Sequence, residues 1–535
     1  MNLAVLGEHN LERFGEYEAV VFDDVAVTNA EQLRASHRMA NALTALGIGR
    51  DDRVAVMMPN CLEVFQVYGA ISQVGAVVVP IVFLLAVPEI RHILADCTPR
   101  AVVTSPEFAG TVLMAIEGLP DRPVVLVTGA LELPGTTSLA ALTDGASSEF
   151  AFVERDDDDL AVIMYTGGTT GRPKGVMLSH GNLLWVAQKL AEDADVKPDD
   201  VGLTALPASH LFGMIVGLLG QALGTKGVLL RWFAPESVLE AVQRYRVTAI
   251  PMVPAMATML LQHADLERYD TSSLRTIILS AAPVPLELKE AVARTFGCDV
   301  VEAYGQTEAS PAIAIERPED QKRPGSCGKP IDGIDVVILD EGGAPVPAGE
   351  TGEICARSPG IMKGYFGMPE ATEETLAGGW LHTGDMGHLD ADGYLFVTDR
   401  KKDLIIRGGF NIYPRDVEEV LYQHPGIVEA AVVGRPDPVM GEEEVVAFVV
   451  IHPGAEMTET ELLAFCLERL AKYKTPREVR FVGSLPKSPI GKILKKDLRA
   501  TLASSGQAVA TRSEPVAMPC GLHRAPYPAG PAKRP

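Results

Sequence analysis

The segment YTGGTTGRPKG at residues 165–175 brings together groups that can hold phosphate. Glycine adopts backbone angles that other residues avoid, so its amides can turn inward and form a concavity for an anion. Threonine hydroxyls add hydrogen-bond donors, and a lysine adds a mobile positive charge. We therefore predict phosphate contacts from Thr166, Gly167, Gly168, Thr169, Thr170, Gly171 and Lys174.

The residues around this loop narrow the kind of phosphate site. The apolar run at 160–165 is typical of a buried strand, and a strand followed by a glycine-rich loop is where α/β proteins bind phosphate. A Walker A loop has glycine directly before its lysine and a hydroxyl residue after it, whereas Pro173 and Gly175 flank Lys174 here. The G-x-G-x-x-G pattern of dinucleotide sites is also missing, and the remaining alternative is a surface turn.

The longer stretch YTGGTTGRPKGVMLSH at 165–180 resembles the phosphate loop of the adenylate-forming superfamily. That superfamily comprises acyl-CoA synthetases, luciferases and peptide-synthetase adenylation domains. Its pattern usually has serine at the position of Gly167, so this loop has one hydroxyl fewer and keeps its backbone amides. Further matching segments follow in the family's order, among them 302–310, 379–414 and 485–499. Together the matches are spread over nearly the whole chain except its C-terminal tail.

The segment EAYGQTEAS at 302–310 offers an aromatic ring, a hydroxyl and a carboxylate close together. The resemblance implies that Tyr304 stacks on adenine, that Thr307 contacts the α-phosphate and that Glu308 binds Mg²⁺. The chemistry of the groups agrees, since a ring face suits a base and a carboxylate oxygen suits a hard cation. Taken alone, the segment could equally be a polar loop.

The longest match is GWLHTGDMGHLDADGYLFVTDRKKDLIIRGGFNIYP at 379–414. The resemblance implies that Asp385 accepts hydrogen bonds from the ribose hydroxyls and that Arg400 makes a second ribose or phosphate contact. A lone TGD is otherwise common as a turn cap. The DRKK ending resembles acyl-CoA synthetases in particular.

The same match contains the implied moving parts. It places Lys402 at the hinge about which a small C-terminal domain swivels, although the residue alone reads as an exposed charge. Gly408 and Gly409 match the loop that lines the pantetheine channel for CoA after rotation, where glycines permit close approach of a thin substrate arm.

Lys492 lies in LPKSPIGKILKKDLR at 485–499. The resemblance implies that it is catalytic together with Thr307 and Glu308, and that it bridges the acyl carboxylate and the α-phosphate during adenylation. A positive charge at that point stabilises a transition state in which negative charge builds up. Composition alone would favour one more lysine on a solvated helix.

The stretch HLFGMIVGLLGQAL at 210–223, with LSAAPVP at 279–285, matches the acyl-pocket region of the family. There is no charged residue between Leu211 and Leu223, and an apolar wall suits a hydrocarbon tail. Such runs are more often plain core. His210 could position substrate or could be a core histidine.

Composition bounds the class of protein. The 535 residues carry a net charge of −23, which argues against nucleic acid or an anionic membrane as a main partner. The seven cysteines are scattered without a C-x-x-C pair, which argues against a disulfide framework and against a zinc site and favours a reducing compartment, so we predict a cytoplasmic protein. The N-terminus lacks signal-peptide features, and the apolar stretch at 76–87 is too short to span a bilayer.

The elements that must position these residues indicate an α/β fold. Strand-like and helix-like runs alternate from about residue 20 to 330, which is typical of largely parallel sheets, and residues 331–400 read as an antiparallel β subregion. A compact α+β unit follows, and the Pro/Ala/Gly-rich end reads as disordered. We expect a large N-terminal AMP-binding domain, a small mobile C-terminal domain and a tail, at 1–401, 402–505 and 506–535.

The resemblance implies an AMP-forming acid–CoA ligase that uses ATP, CoA and Mg²⁺, and the apolar stretch favours a medium- or long-chain fatty acid. The alternatives are an aryl or other carboxylic acid, a carrier-protein thiol as acceptor, an ATP- or AMP-binding regulatory protein without catalysis, and a phosphotransferase that would release ADP. No carrier domain with its serine motif is apparent, which favours free CoA. A homodimer is possible.

Overall fold

The computed structural model describes residues 2–129, 133–166, 173–193, 196–197, 199–317, 320–407, 410–436, 443–452, 454–488 and 491–505. Several predicted site residues lie outside these ranges, namely Gly167, Gly168, Thr169, Thr170, Gly171, Gly408 and Gly409, and so does the predicted tail at 506–535.

The strands follow the apolar runs of the sequence. In chain order they are β1 Glu18–Phe22, β2 Val25–Thr28, β3 Arg53–Met57, β4 Val77–Pro80, β5 Ala101–Thr104, β6 Val124–Val127, β7 Thr137–Ser138, β8 Leu160–Thr166, β9 Lys174–Ser179, β10 Val201–Thr204, β11 Lys226–Leu229, β12 Ala249–Met252, β13 Thr276–Leu279, β14 Asp299–Tyr304, β15 Ala314–Ile315, β16 Lys329–Pro330, β17 Asp335–Leu339, β18 Gly352–Arg357, β19 Gly364–Tyr365, β20 Leu381–Leu389, β21 Leu395–Arg400, β22 Ile405–Arg407, β23 Phe410–Ile412, β24 Ile427–Pro436, β25 Glu443–Ile451 and β26 Glu478–Phe481.

The helices follow the amphipathic runs between the strands. They are α1 Leu6–Phe14, α2 Asn29–Ala45, α3 Leu62–Gln73, α4 Val87–Cys97, α5 Ala109–Ile116, α6 Leu139–Thr143, α7 His180–Asp193, α8 Leu211–Leu223, α9 Pro235–Tyr245, α10 Pro254–Leu261, α11 Leu286–Phe296, α12 Pro369–Thr375, α13 Pro414–Tyr422, α14 Glu459–Leu467 and α15 Lys495–Ser505. Local sequence fixes their starts: α2 begins with a capping box in which Thr28 and Glu31 bond each other's backbone amides.

Two large sheets make up most of the N-terminal region. One has the order β19-β9-β8-β4-β3-β5-β6-β7 and the other β16-β15-β14-β13-β12-β10-β11-β1-β2. Their central pairings are parallel, and antiparallel partners lie at the edges. Strands such as β4 and β5 are buried along their whole length, because helices cover both faces of a parallel sheet.

Beyond these sheets the chain changes character as predicted. Strands β17, β18, β20 and β21 form a four-stranded antiparallel sheet. The C-terminal unit has a sheet of β24, β25 and β26, and α13 and α14 share its apolar core through Leu421 and Leu462. The predicted fold class is confirmed: a large α/β N-terminal region with a β subregion and a small α+β C-terminal unit. In the part of the chain that the structure covers, no helix is both long and apolar enough to cross a membrane.

Candidate active site

A cleft of about 2280 Å³ lies between the N-terminal region and the C-terminal unit, and both contribute to its walls. Every predicted site residue that falls within the described ranges lines this cleft: Thr166, Lys174, Tyr304, Thr307, Glu308, Asp385, Arg400 and Lys492. Residues far apart in the sequence therefore face one shared space.

Asp385 is held by two of the other predicted residues. Asp385 on β20 lies opposite Arg400 on β21 in the antiparallel register, and Arg400 Nε donates to its Oδ1 at 2.9 Å. The Tyr304 hydroxyl, at the end of β14, donates to its Oδ2 at 2.8 Å. Both carboxylate oxygens thus have donors, and the Tyr304 ring is tethered at its hydroxyl with Asp385 buried beside it.

The turn before Asp385 sets the direction of its carboxylate. Gly384 has φ +69°, a backbone conformation that favours glycine, and its amide donates to Glu353 Oε1 at 3.1 Å. The amide of Asp385 donates to the Thr383 hydroxyl at 3.1 Å. The TGD turn is therefore fixed by side chains on both sides, and the neighbouring strand β18 supplies one of them.

Lys174 and Glu308 both contact Tyr365, an aromatic residue that lies outside the predicted motifs. The hairpin of β8 and β9 places Thr166 opposite Lys174, at the two ends of the glycine-rich loop. The Lys174 ammonium lies 4.6 Å from the centre of the Tyr365 ring, and the Tyr365 hydroxyl donates to Glu308 Oε1 at 2.9 Å. Tyr365 thereby links the phosphate loop to the carboxylate.

The sequence carries little local indication of Tyr365. It belongs to the two-residue strand β19, whose place depends on pairing with β9 nearly two hundred residues earlier in the chain. The same holds for Glu353, which reaches the TGD turn only through the pairing of β18 with β20.

Lys492 lies where a short turn closes before α15. The Ser488 amide donates to the carbonyl of Lys492 at 2.7 Å, and Gly491 has φ +79°. Burial, together with the nearby charge of Arg400, lowers the pKa of Lys492 to about 8, and Asp385 and Glu308 are the negative groups that face it. A desolvated ammonium surrounded by charged groups is poised to meet an incoming anion.

Helix α8 forms an apolar wall that starts close to this lysine. His210 caps the helix, its Nδ1 accepting from the Phe212 amide at 3.3 Å. Burial and the charge of Lys492 lower the pKa of His210 to about 4, so it is neutral at pH 7. Residues Phe212, Ile215, Val216 and Leu219 on α8 line the cleft. The predicted acyl-pocket stretch thus faces open space next to Lys492.

Comparison with known proteins shows the family of the chain. Residues 7–366 match the family described as AMP-binding enzyme, and residues 416–492 match its C-terminal domain. The chain is 41% identical to a feruloyl-CoA synthase of Amycolatopsis sp over 483 residues, covering 90% of this chain and 95% of the relative. It is 35% identical to a long-chain-fatty-acid–CoA ligase of Bacillus subtilis over 517 residues, covering 91% and 92%.

A solved structure extends the likeness to the whole fold. The anthranilate CoA ligase AuaEII, in complex with anthranoyl-AMP, superposes with a TM-score of 0.90 at 29% identity, over 95% of this chain and 98% of that one. The chain belongs to the AMP-binding enzyme family of the adenylate-forming superfamily, and within it to the ATP-dependent acid–CoA ligases, which use ATP, CoA and Mg²⁺.

Proposed function

We propose that the protein activates a medium- or long-chain fatty acid and joins it to CoA. In the first step the carboxylate attacks the α-phosphate of ATP, giving acyl-AMP and pyrophosphate. In the second the CoA thiol attacks the acyl carbonyl, giving acyl-CoA and AMP. The observation that carries the proposal is the uncharged helix α8, which lines the cleft and starts beside Lys492.

In this proposal three residues hold the nucleoside. The Tyr304 ring stacks on adenine, because its hydroxyl is tied to Asp385 and its face is the part left for a base. Asp385 accepts from the ribose hydroxyls, and the tether from Arg400 keeps its carboxylate oriented. Arg400 also makes the second ribose or phosphate contact.

The phosphates lie where the glycine-rich loop meets Glu308. Thr166 and Lys174 bind them from the two ends of the loop, and Thr307 contacts the α-phosphate. Glu308 supplies a hard oxygen ligand for Mg²⁺, with Tyr365 orienting its carboxylate. When bound, Mg²⁺ neutralises part of the triphosphate charge. The predicted contacts from Gly167, Gly168, Thr169, Thr170 and Gly171 belong to the same proposal.

Lys492 acts in the first step by placing a positive charge between the acyl carboxylate and the α-phosphate. Its depressed pKa reflects an environment with little solvent, in which a charge interacts strongly with the developing negative charge. For the second step, the C-terminal unit turns about Lys402, carries Lys492 away and brings Gly408 and Gly409 to the pantetheine arm.

We divide the chain into an N-terminal domain at 1–401, a mobile C-terminal domain at 402–505 and a tail at 506–535. The family matches support this division, because the first match ends at residue 366, and the match to the C-terminal domain begins at residue 416 and ends at residue 492. A cytoplasmic location and a homodimer stay predictions from the sequence.

A second candidate substrate is an aryl acid. It is favoured by the 41% identity to a feruloyl-CoA synthase and by the fold likeness to an anthranilate CoA ligase. A planar ring would also fit against apolar side chains such as Phe212 and Ile215.

The test is ATP-dependent release of pyrophosphate and AMP, with and without CoA, over saturated acids of increasing length and over ferulic, benzoic and anthranilic acids. A maximum at one aliphatic length, with acyl-CoA formed, supports the fatty-acid proposal. A maximum with ferulic acid replaces it with the second candidate. Release of pyrophosphate that CoA does not stimulate, with no acyl-CoA formed when CoA is present, indicates another acceptor such as a carrier-protein thiol. Release of ADP indicates a phosphotransferase, and no release with any acid indicates a non-catalytic binding protein.

A further inference from the structure

A group of metal-ligating side chains lies beside the nucleotide site without belonging to its proposed contacts. Glu353 and Cys355 on β18 and His382 on β20 place one ligand atom each within 4.8 Å of one another. Cys355 and His382 are direct partners in the antiparallel register. Glu353 lies two residues before Cys355 on the same strand, so the three side chains share one face of the sheet.

The two distances from His382 to its neighbours in this group match those of a tetrahedral zinc site, and the third pair of ligand atoms lies within 4.8 Å. Cys355 Sγ lies 3.4 Å from His382 Nδ1, and that nitrogen lies 3.3 Å from Glu353 Oε2. Zinc bonds are about 2.3 Å to sulfur and about 2.0–2.1 Å to nitrogen or oxygen, which at tetrahedral angles puts neighbouring ligand atoms about 3.3–3.6 Å apart. The present hydrogen-bonded arrangement therefore needs little rearrangement to accept a metal ion.

The donor set and its access both point to zinc. A thiolate, an imidazole and a carboxylate form a mixed soft and hard set that suits Zn²⁺ and is unsuited to Mg²⁺. Glu353 and His382 line the active-site cleft, and the His382 side chain is 27% exposed, so an ion and a water ligand can enter from solvent. We propose that Glu353, Cys355 and His382 form a zinc-binding site that inhibits the enzyme.

Metal binding at this site releases one proton and changes no oxidation state. The Cys355 thiol loses its proton to solvent and donates an electron pair to the metal, His382 donates through the lone pair of Nδ1, and Glu353 donates through a carboxylate oxygen. A water molecule completes the fourth position, and no oxidation or reduction takes place.

The inhibition follows from the other contacts of Glu353. Its Oε2 accepts from Lys401 Nζ at 3.1 Å, and its Oε1 accepts from the Gly384 amide of the TGD turn. A cation on Oε2 competes with Lys401 for this oxygen. The cation therefore disturbs the TGD turn, which orients Asp385. It also displaces Lys401, which is the neighbour of Arg400 in the chain. Zinc occupancy and nucleotide binding oppose one another through the same carboxylate.

Binding is tested first without any substrate, so that its result does not depend on the proposed function. The full chain is titrated with Co²⁺, a spectroscopic substitute for Zn²⁺, in excess Mg²⁺ and without ATP. We expect a thiolate-to-cobalt charge-transfer band that Zn²⁺ abolishes. Cys355→Ser should lose the band and His382→Gln should weaken binding by about tenfold or more, whereas Cys298→Ser, at a partly exposed cysteine outside the group, should keep it.

Lys401→Met separates a built site from adventitious binding to a thiol. Lys401 is 54% exposed, so its replacement should leave the fold intact. Because the change removes a competing positive charge from Glu353, it should tighten Co²⁺ and Zn²⁺ binding. A band that survives in Cys355→Ser, or an affinity that Lys401→Met leaves unchanged or weakens, overturns the site.

The inhibitory role, which rests on the proposed function, is tested by pyrophosphate release with free zinc held by a metal buffer. Zinc should slow release by about fivefold or more in the unmodified chain and in Cys298→Ser, and have little effect in Cys355→Ser. If zinc binds but release is equally sensitive in all three proteins, the inhibitory role is wrong. If none of the proteins releases pyrophosphate with any acid, the proposed function fails while the binding result stands.

Discussion

At the scale of single residues, Lys492 separates the two proposed half-reactions. Lys492→Ala should slow adenylation by about a hundredfold to a thousandfold, the usual cost of removing one group that stabilises transition-state charge. Thioester formation from supplied acyl-AMP should change by no more than a few fold, since the proposal removes Lys492 from that step. Pyrophosphate release and acyl-CoA formation from acyl-AMP measure the two steps. Lys496→Ala, at an exposed lysine of α15, is the matched control. Equal loss of both steps would contradict the assigned role.

The pKa of Lys492 gives a second expectation for the same residue. Burial lowers it to about 8, so the charged form is present below that pH and is lost as the pH rises through it. The value of kcat/KM for adenylation, which reports the free enzyme, should therefore fall on the alkaline side with a midpoint near this pKa. Lys492→Arg should move that fall to higher pH, because a guanidinium stays charged. A fall at the same pH in both proteins would assign it to another group.

Residues differ in how far sequence alone could identify them. Tyr304, Asp385 and Lys492 lie in segments with enough family pattern to be named, and the structure places all three at one cleft. Tyr365 and Glu353 were missed because their positions follow from strand pairing over long sequence separations, which local patterns do not encode.

At the scale of elements, the glycines of α8 differ in the space beside them. A Cβ added at Gly217 would lie 2.4 Å from Phe65 Cε1, so this position is closed by a neighbouring ring. A Cβ added at Gly220 would have Thr225 Oγ1 at 3.9 Å as its nearest described neighbour, and Gly220 lines the cleft. Gly220 therefore marks a place where the wall can be thickened without disturbing the helix.

Gly220→Leu should shorten the proposed acyl pocket. We expect kcat/KM for the longest accepted acid to fall by about tenfold or more, with little change for short acids. The reason is that one methylene group that no longer fits an apolar pocket costs about 1–3 kcal/mol of binding free energy. The measurement is the chain-length profile of pyrophosphate release. Gly110→Leu is the matched control, at an exposed glycine of α5 where an added Cβ would have no described atom within 4 Å. An unchanged profile would place the acyl chain elsewhere in the cleft.

Elements were the best predicted level of the structure. The apolar runs at 76–82 and 100–105 contain β4 and β5, because a strand buried on both faces must be largely apolar. Which strands neighbour one another could not be read from those runs, since β10 lies between β11 and β12 while β8 lies beside β4.

At the scale of the whole molecule, Arg415 fastens the C-terminal unit to the N-terminal region. At the start of α13, its amide donates to Asp399 Oδ2 at 2.8 Å and its Nη1 donates to the carbonyl of Val397 at 2.6 Å. It also faces Glu302. Burial raises the pKa of Glu302 to about 7, and the nearby charge of Arg415 acts in the opposite direction. The arrangement that holds Lys492 in the cleft thus depends on a buried cation between the two parts.

Arg415→Met should weaken this arrangement, since it leaves the Val397 carbonyl without its donor and Glu302 without the nearby positive charge, and removing one partner of a buried pair costs about 3–5 kcal/mol. We expect adenylation to fall by about tenfold or more while thioester formation from supplied acyl-AMP falls less. Both half-reactions and the melting temperature are measured. Arg469→Met, at an exposed arginine after α14, serves as the control. A variant that loses only the second step would show that Arg415 belongs to the other arrangement.

The relative placement of the two parts was beyond sequence reasoning. The family resemblance predicted both and a hinge between them, but the contacts of Arg415 with Val397 and Asp399 arise from packing between units. A single buried arginine in PRDVEE carries no pattern that separates such a role from an ordinary helix start.

The position of β1 has a consequence for the synthesis of the chain. Val20 and Val21 pair with Val27 and Ala26 of β2 on one side and with Gly227 and Val228 of β11 on the other, so until β11 has been made β1 has only its hairpin partner. At about 5–20 residues per second, the wait is on the order of ten seconds or more. We expect nascent chains stalled before residue 226 to be much more sensitive to protease near β1 than chains stalled well after β11, as gel analysis of stalled ribosome complexes would measure. Codon usage between these two strands is then a quantity on which the yield of folded enzyme depends.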